Sequence, residues 1–211
     1  ILILCVLFTS VKVKEMPPKE YAEFHGIDLQ AQKEKSPGML TLLKKAPSVF
    51  WTVGLVQFFC WAAFMYMWTY TNGAIADTVW GTTDVRSAEY QDAGNWVGIL
   101  FAVQAVGSVI WATIIPQFKS LKLAYVVSLL LGAVGFISIL FIQDQYMLFV
   151  SFLLIGCAWA AMLALPFTIL TNALSGSHMG TYLGLFNGTI CVPQIVAASL
   201  GGLVLKMFTT E

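Results

Sequence analysis

An all-α, polytopic membrane protein is the fold class this sequence predicts, and three observations carry it: an apolar composition, five runs long enough to cross a bilayer, and lysines concentrated in alternate loops. Hydrophobic residues fill 58% and charged residues 10% of the 211 positions. Mean hydropathy is +0.79, far from soluble-domain values. A helix of about 20 predominantly apolar residues crosses a bilayer core. Runs of that kind occupy roughly 48–71, 97–117, 123–142, 146–172 and 180–205.

The elements follow in chain order. Residues 1–13 (ILILCVLFTSVKV) are apolar from the first position, lack an initiator Met and are too short to span. A signal peptide would add a basic n-region and a small-residue cleavage site, and neither is present. These residues are expected to be the end of a truncated helix, and the chain a piece of a longer polypeptide. Residues 14–47 form a long polar loop, with Pro17-Pro18 ahead of KEYAEFHG and Ser36-Pro37 opening GMLTLLKKA. Ser at the N-cap and Pro at the first helical position predict a short helix there. Met39, Leu40 and Leu43 on the membrane surface, with Lys44 and Lys45 facing phosphates, make it an interfacial connector. His25 reads as a loop histidine.

Charge orients the chain, because Lys and Arg of short loops concentrate on the cytoplasmic side. Lys12, Lys14, Lys19, Lys33, Lys35, Lys44 and Lys45 lie in or beside the 14–47 loop, and Lys119 and Lys122 in the turn after the second full span. The opposite side receives Arg86, in an external loop at 72–96, and Lys206 in the 206–211 tail. The 14–47 loop is therefore placed in the cytoplasm.

Polar and glycine residues inside the spans mark the candidate site, since an unpartnered amide in hydrocarbon is costly. In the first span Gln57, Trp61, Phe64, Met65 and Trp68 share one helical face. One amide and flat indole rings suit a carbohydrate, through paired hydroxyl bonds and stacking on C–H surfaces. The alternatives are plain packing and, for Trp68 and Tyr70, an interfacial aromatic belt. The second span carries Phe101, Gln104, Ser108 and Trp111 on one face, with Pro116 near its end. Gln104 is either a ligand contact or interhelical glue with Gln57. The fourth span has Trp159 and then Pro166, which frees a backbone carbonyl and permits a hinge or a static bend.

Asn172 closes that span, and Ser175 to His178 make a polar turn before the fifth. There Gly180, Gly184 and Gly188 form a four-residue repeat that lets another helix approach. Asn187, Cys191 and Gln194 make a polar stripe beside it, and Pro193 loosens the backbone near Gln194. Cys5, Cys60, Cys157 and Cys191 lie in apolar runs without metal-like spacing and are expected to be free thiols. No cofactor, metal or nucleotide motif is evident. The Asn187-Gly188-Thr189 sequon lies mid-span, out of reach of glycosylation.

The segment LPFTILTNALSGSHMGTYLGLFNGTICVPQIVAASLGG resembles helices ten and eleven of the sucrose/proton symporters of plants and their bacterial relatives, in the major facilitator superfamily. Its marks are Pro166-Phe167, Asn172, Gly180, Gly184, Asn187 and Val192-Pro193-Gln194. The resemblance extends more weakly over nearly the whole chain. It implies the C-terminal half of a 12-helix transporter: residues 1–13 as the end of helix six, 14–47 as the linker between halves, 48–205 as helices seven to eleven, and a last helix absent. Expected partners are a small sugar, the lipid bilayer and the N-terminal half, with no nucleic acid. Where plant members carry acidic residues at the outer end of helix seven and an arginine at the start of helix eight, the nearest counterparts are Asp77 and Trp96. That difference points to the bacterial branch and a bacterial inner membrane.

The function expected from the resemblance is proton-coupled uptake of sucrose, maltose or a related glucoside by alternating access, and not an enzymatic activity. Substrate contacts would come from Gln57, Trp61, Trp68, Gln104, Trp159, Asn187 and Gln194. No full span holds a deep carboxylate, so the coupling group is expected in the N-terminal half. Sodium coupling, or a sugar sensor or scaffold that does not transport, are the alternatives.

Overall fold

The fold is a computed structural model that describes residues 2–13, 17–26, 38–174 and 179–208. Every secondary-structure element among them is helical. The chain divides into two units, Ile1–Lys45 and Ala46–Glu211.

The first unit holds α1 (Leu2–Lys12), α2 (Pro18–His25) and α3 (Met39–Lys44). No residue of α1 is buried. The interfacial helix expected in the 14–47 loop corresponds to α3, but its N-cap is Gly38, with Thr41 and Leu42 donating to the Gly38 carbonyl. Ser36 and Pro37, expected to start it, lie outside the described residues, as do Lys14, Lys33 and Lys35.

The second unit contains α4 (Ser48–Trp80), α5 (Ala88–Ile114), α6 (Leu121–Ile139), α7 (Leu148–Ala173), α8 (Met179–Phe186) and α9 (Gly188–Phe208). Five spans, counting α8 and α9 as one, are long and apolar enough to cross a bilayer. The chain is thus an integral membrane protein by length and composition of its helices.

The connections are shorter than the hydropathy suggests. The loop expected at 72–96 shrinks to 81–87, because α4 runs on through TNGAIADTVW with Thr71, Ile75 and Ala76 buried. At 33 residues and a rise of 1.5 Å each, α4 is about 50 Å long, well beyond a hydrocarbon core of about 30 Å. Gly81 ends it in the left-handed region, at φ 65°, with its N–H on Asp77 O and the Thr82 N–H on Ala76 O. That geometry is a glycine C-cap. Ser87 then caps α5 by accepting from the Tyr90 N–H at 3.1 Å. At the other end Pro116 tightens the exit of α5 into a 3-10 turn at Ile115–Gln117, and Ser120 caps α6.

α7 is the hub of the bundle, packed most extensively on α6 and α5 and also on α4, while α9 lies along α4. Glycines set these approaches. A Cβ at Gly107 would fall 2.8 Å from the Leu153 carbonyl, and one at Gly156 would strike the Gln104 carbonyl. On the α6 side, Gly135 faces the Ser151 carbonyl and Gly132 faces Ala158 in the same way. The close-approach seam predicted at Gly180, Gly184 and Gly188 is not formed with described atoms: a Cβ at any of them would meet nothing within 4 Å. The reason is rotation of α8, which buries Tyr182 and Phe186 and turns Gly180 and Gly184 outward, while Gly188 lies past the break at the start of α9.

The run expected at 180–205 is interrupted at Asn187. The Phe186 carbonyl accepts from the Thr189 hydroxyl at 2.7 Å, and Ile190 and Cys191 both donate to the Asn187 carbonyl. A side chain has replaced a ladder bond there, so the break falls at Asn187 and not beside Pro193, which is buried within α9. The polar turn at Ser175 to His178 and the end of the 206–211 tail lie outside the described residues.

Candidate functional site

Pro166 lies inside α7 and has no N–H, so the carbonyl four residues earlier, that of Met162, loses its helical partner. Gln57 of α4 supplies the replacement. Its Nε2 donates to Met162 O at 3.1 Å, and its Oε1 accepts from the Tyr125 hydroxyl of α6 at 3.0 Å. One fully buried amide therefore bridges three helices and satisfies the carbonyl that the proline exposes. Gln57 was expected to face a sugar, but in this conformation both ends of its amide are engaged by protein.

One turn along α4 from Gln57, an aromatic cluster begins. Trp61 lies 5.8 Å from Trp159 and 6.3 Å from Trp68, and Trp68 lies 5.5 Å from Trp159, all ring edge to ring face. Phe64 packs beneath them at 4.9 Å from Trp159 and 5.6 Å from Phe136. The expected face on α4 and the single tryptophan of α7 are thus brought together. The cluster grades from interior to surface, with Trp61 at 8% and Trp68 at 42% exposure. The Trp61 indole N–H is buried and has no acceptor among the described residues. Buried donors are seldom left so, and this one lies where three indoles meet.

The other expected contacts stand apart from this cluster. Gln104 is buried on α5, where its carbonyl accepts from Ser108 while the Ser108 hydroxyl also reaches Gly156 O, each at 2.9 Å. The Gln104 and Gln57 amides are not bonded to each other. Ile190 of α9 packs against the core around Trp61, and Gln194, half-buried, lies one turn beyond it. Asn187 is exposed at the break between α8 and α9.

Three residues outside the predicted site matter here, two at the Gln57 bridge and one further along α4. Tyr125 and Met162 complete the Gln57 bridge. A hydroxyl inside the apolar run LKLAYVVSLL was the available signal for Tyr125, and the four-residue offset from Pro166 for Met162. Asn72 sits further along α4 against Gly94, with its Oδ1 buried and unpartnered. Cys5 and Cys191 are exposed thiols, Cys60 is half-buried and Cys157 is buried.

No protein-family model, curated protein or solved structure matches the chain.

Proposed function

We propose that this chain forms the sugar-contacting part of a secondary active transporter that moves sucrose, maltose or a related glucoside by alternating access, coupled to protons. The observation that carries the proposal is the buried, unpartnered Trp61 N–H within the Trp61, Trp68 and Trp159 cluster. Indole faces stack on sugar C–H surfaces, and the free N–H offers a hydrogen bond to a hydroxyl. The graded exposure of the cluster gives a sugar a way in from the Trp68 side.

The Gln57 bridge fits the same reading. A helix bent at Pro166 needs an outside donor for Met162 O, and a donor on another helix can hold or release that bend. The resemblance to glycoside symporters supplies the substrate class, the N-terminal half as partner and a bacterial inner membrane as location.

Uptake of radiolabelled sucrose and maltose into proteoliposomes that hold the chain joined to its proposed N-terminal half, with and without an inward acid gradient, is the test. Saturable uptake that collapses with the gradient is expected. Uptake that instead follows sodium and stops in choline would replace the proton by sodium, and binding without uptake would make the protein a sensor. Absence of both binding and uptake overturns the proposal.

A further inference from the structure

A second feature lies away from the tryptophans. A cavity of about 580 Å³ opens between the first turns of α4 and α6 and the last turns of α7, within the range of about 300–1,000 Å³ usual for ligand sites. Its walls are largely aliphatic, from Val49, Val53 and Val56 on α4, Val126 on α6 and Ile169 on α7. The hydrophilic groups come mostly from the helix ends, Ser48, Ser120, Lys122 and Asn172, with Thr52 one turn in and its hydroxyl already donated to the Ser48 carbonyl.

Charge around this opening is one-sided. Within residues 46–208 the carboxylates are Asp77, Asp84, Glu89, Asp92 and Asp144, all toward the opposite ends of the helices. Lys119 and Lys122 at the cavity end therefore face no carboxylate among the described residues of their own unit. Helices α4 and α6 both begin here, so their first-turn N–H groups add positive potential. Basic pockets between membrane helices favour lipid headgroups.

We propose that this cavity binds an anionic phospholipid, with one acyl chain against Val53, Val56 and Val126 and the headgroup phosphate on Lys122. The two chemistries arrive in the order a lipid presents them, charge at the helix ends and hydrocarbon within. A sugar would find few hydrogen-bonding partners along those aliphatic walls, and a free phosphate would leave them uncovered. Tyr125 also lines the cavity while its hydroxyl holds Gln57. An acyl chain packed on Tyr125 therefore supports the bridge between α6, α4 and α7.

Thermal unfolding of the purified full chain in neutral detergent tests this, with dioleoyl phosphatidylglycerol, dioleoyl phosphatidylcholine or glycerol phosphate added. Saturable stabilisation by phosphatidylglycerol alone is expected. Lys122→Gln should weaken it about fivefold, the factor equivalent to about 1 kcal/mol per basic residue near an anionic membrane surface. Val126→Trp, at a 45% exposed cavity position, should abolish the lipid effect while the lipid-free protein unfolds as before. Equal stabilisation by phosphatidylcholine or by glycerol phosphate would overturn the proposal, as would an unchanged response in both variants. Competition by sucrose or maltose would also overturn it, by assigning the cavity to the sugar.

Discussion

The Gln57 bridge makes a quantitative prediction because the Met162 carbonyl that it satisfies lacks a helical partner only while Pro166 is present. Gln57→Leu keeps the side-chain volume nearly constant but removes the donor to Met162 O and the acceptor for Tyr125. Interhelical bonds in membranes average about 0.6 kcal/mol and reach about 1.7 kcal/mol, and a buried carbonyl left unpaired costs about 1–3 kcal/mol. The single variant should therefore lose about 2–5 kcal/mol. Pro166→Ala restores an N–H to α7, so Met162 O regains its ladder partner whether or not Gln57 is present. In that background Gln57→Leu should cost only the Tyr125 bond, about 0.6–1.7 kcal/mol. The double-mutant cycle then yields a coupling of about 1–3 kcal/mol, and terms private to either site, such as the gain in helix propensity at residue 166, cancel. Reversible unfolding in mixed micelles, followed by circular dichroism, is the assay. Additivity within about 0.3–0.5 kcal/mol would refute the claim that Gln57 serves the proline-freed carbonyl.

Other expectations separate packing from binding. Gly156→Ala drives a methyl into the α5 backbone and should destabilise by about 1–3 kcal/mol, whereas Gly184→Ala, facing open space, should be neutral or stabilise by up to about 1 kcal/mol; the same unfolding assay compares them. Trp61→Phe removes a donor without a protein partner and also part of a buried ring, so stability should fall by about 0.5–3 kcal/mol. Its affinity for sucrose or maltose should fall about tenfold, which is about 1.4 kcal/mol, as read by calorimetry; unchanged affinity would exclude that N–H from the sugar site. Buried Cys157 should react with N-ethylmaleimide only after unfolding, which mass spectrometry of tryptic fragments resolves.

Helix number and class were legible because a bilayer imposes a length and a polarity that survive in any single sequence. The ends were less so. Gly81 and Ser87 carry capping signals, but the 72–96 region is polar enough to read as loop, and burial of Ile75 and Ala76 against neighbouring helices extends α4 through it. Of the candidate site, Gln57, Trp61 and Trp68 fall on one face of α4 because offsets of four and eleven residues return to it, whereas its meeting with Trp159 is a tertiary contact. The partners of that face were hidden because contact between α4, α6 and α7 is tertiary: Tyr125 is 68 residues from Gln57 and Met162 is 105. The glycine repeat misled for a related reason. Spacing fixes a shared helical face, and only the rotation of α8 decides where that face points.

The central position of α7 bears on how the protein is made. Helices α5 and α6 meet each other far less than either meets α7, yet both leave the ribosome before it. During that interval their glycine faces have no backbone to receive, and Gln57 has no Met162 carbonyl to bind. Newly inserted α4, α5 and α6 therefore wait as loosely associated spans, with Gln57–Tyr125 and Trp111–Ser128 the polar pairs able to hold them meanwhile. Arrival of the fourth span closes the contacts together, so a variant that slows insertion of α7 impairs the packing of helices synthesised before it.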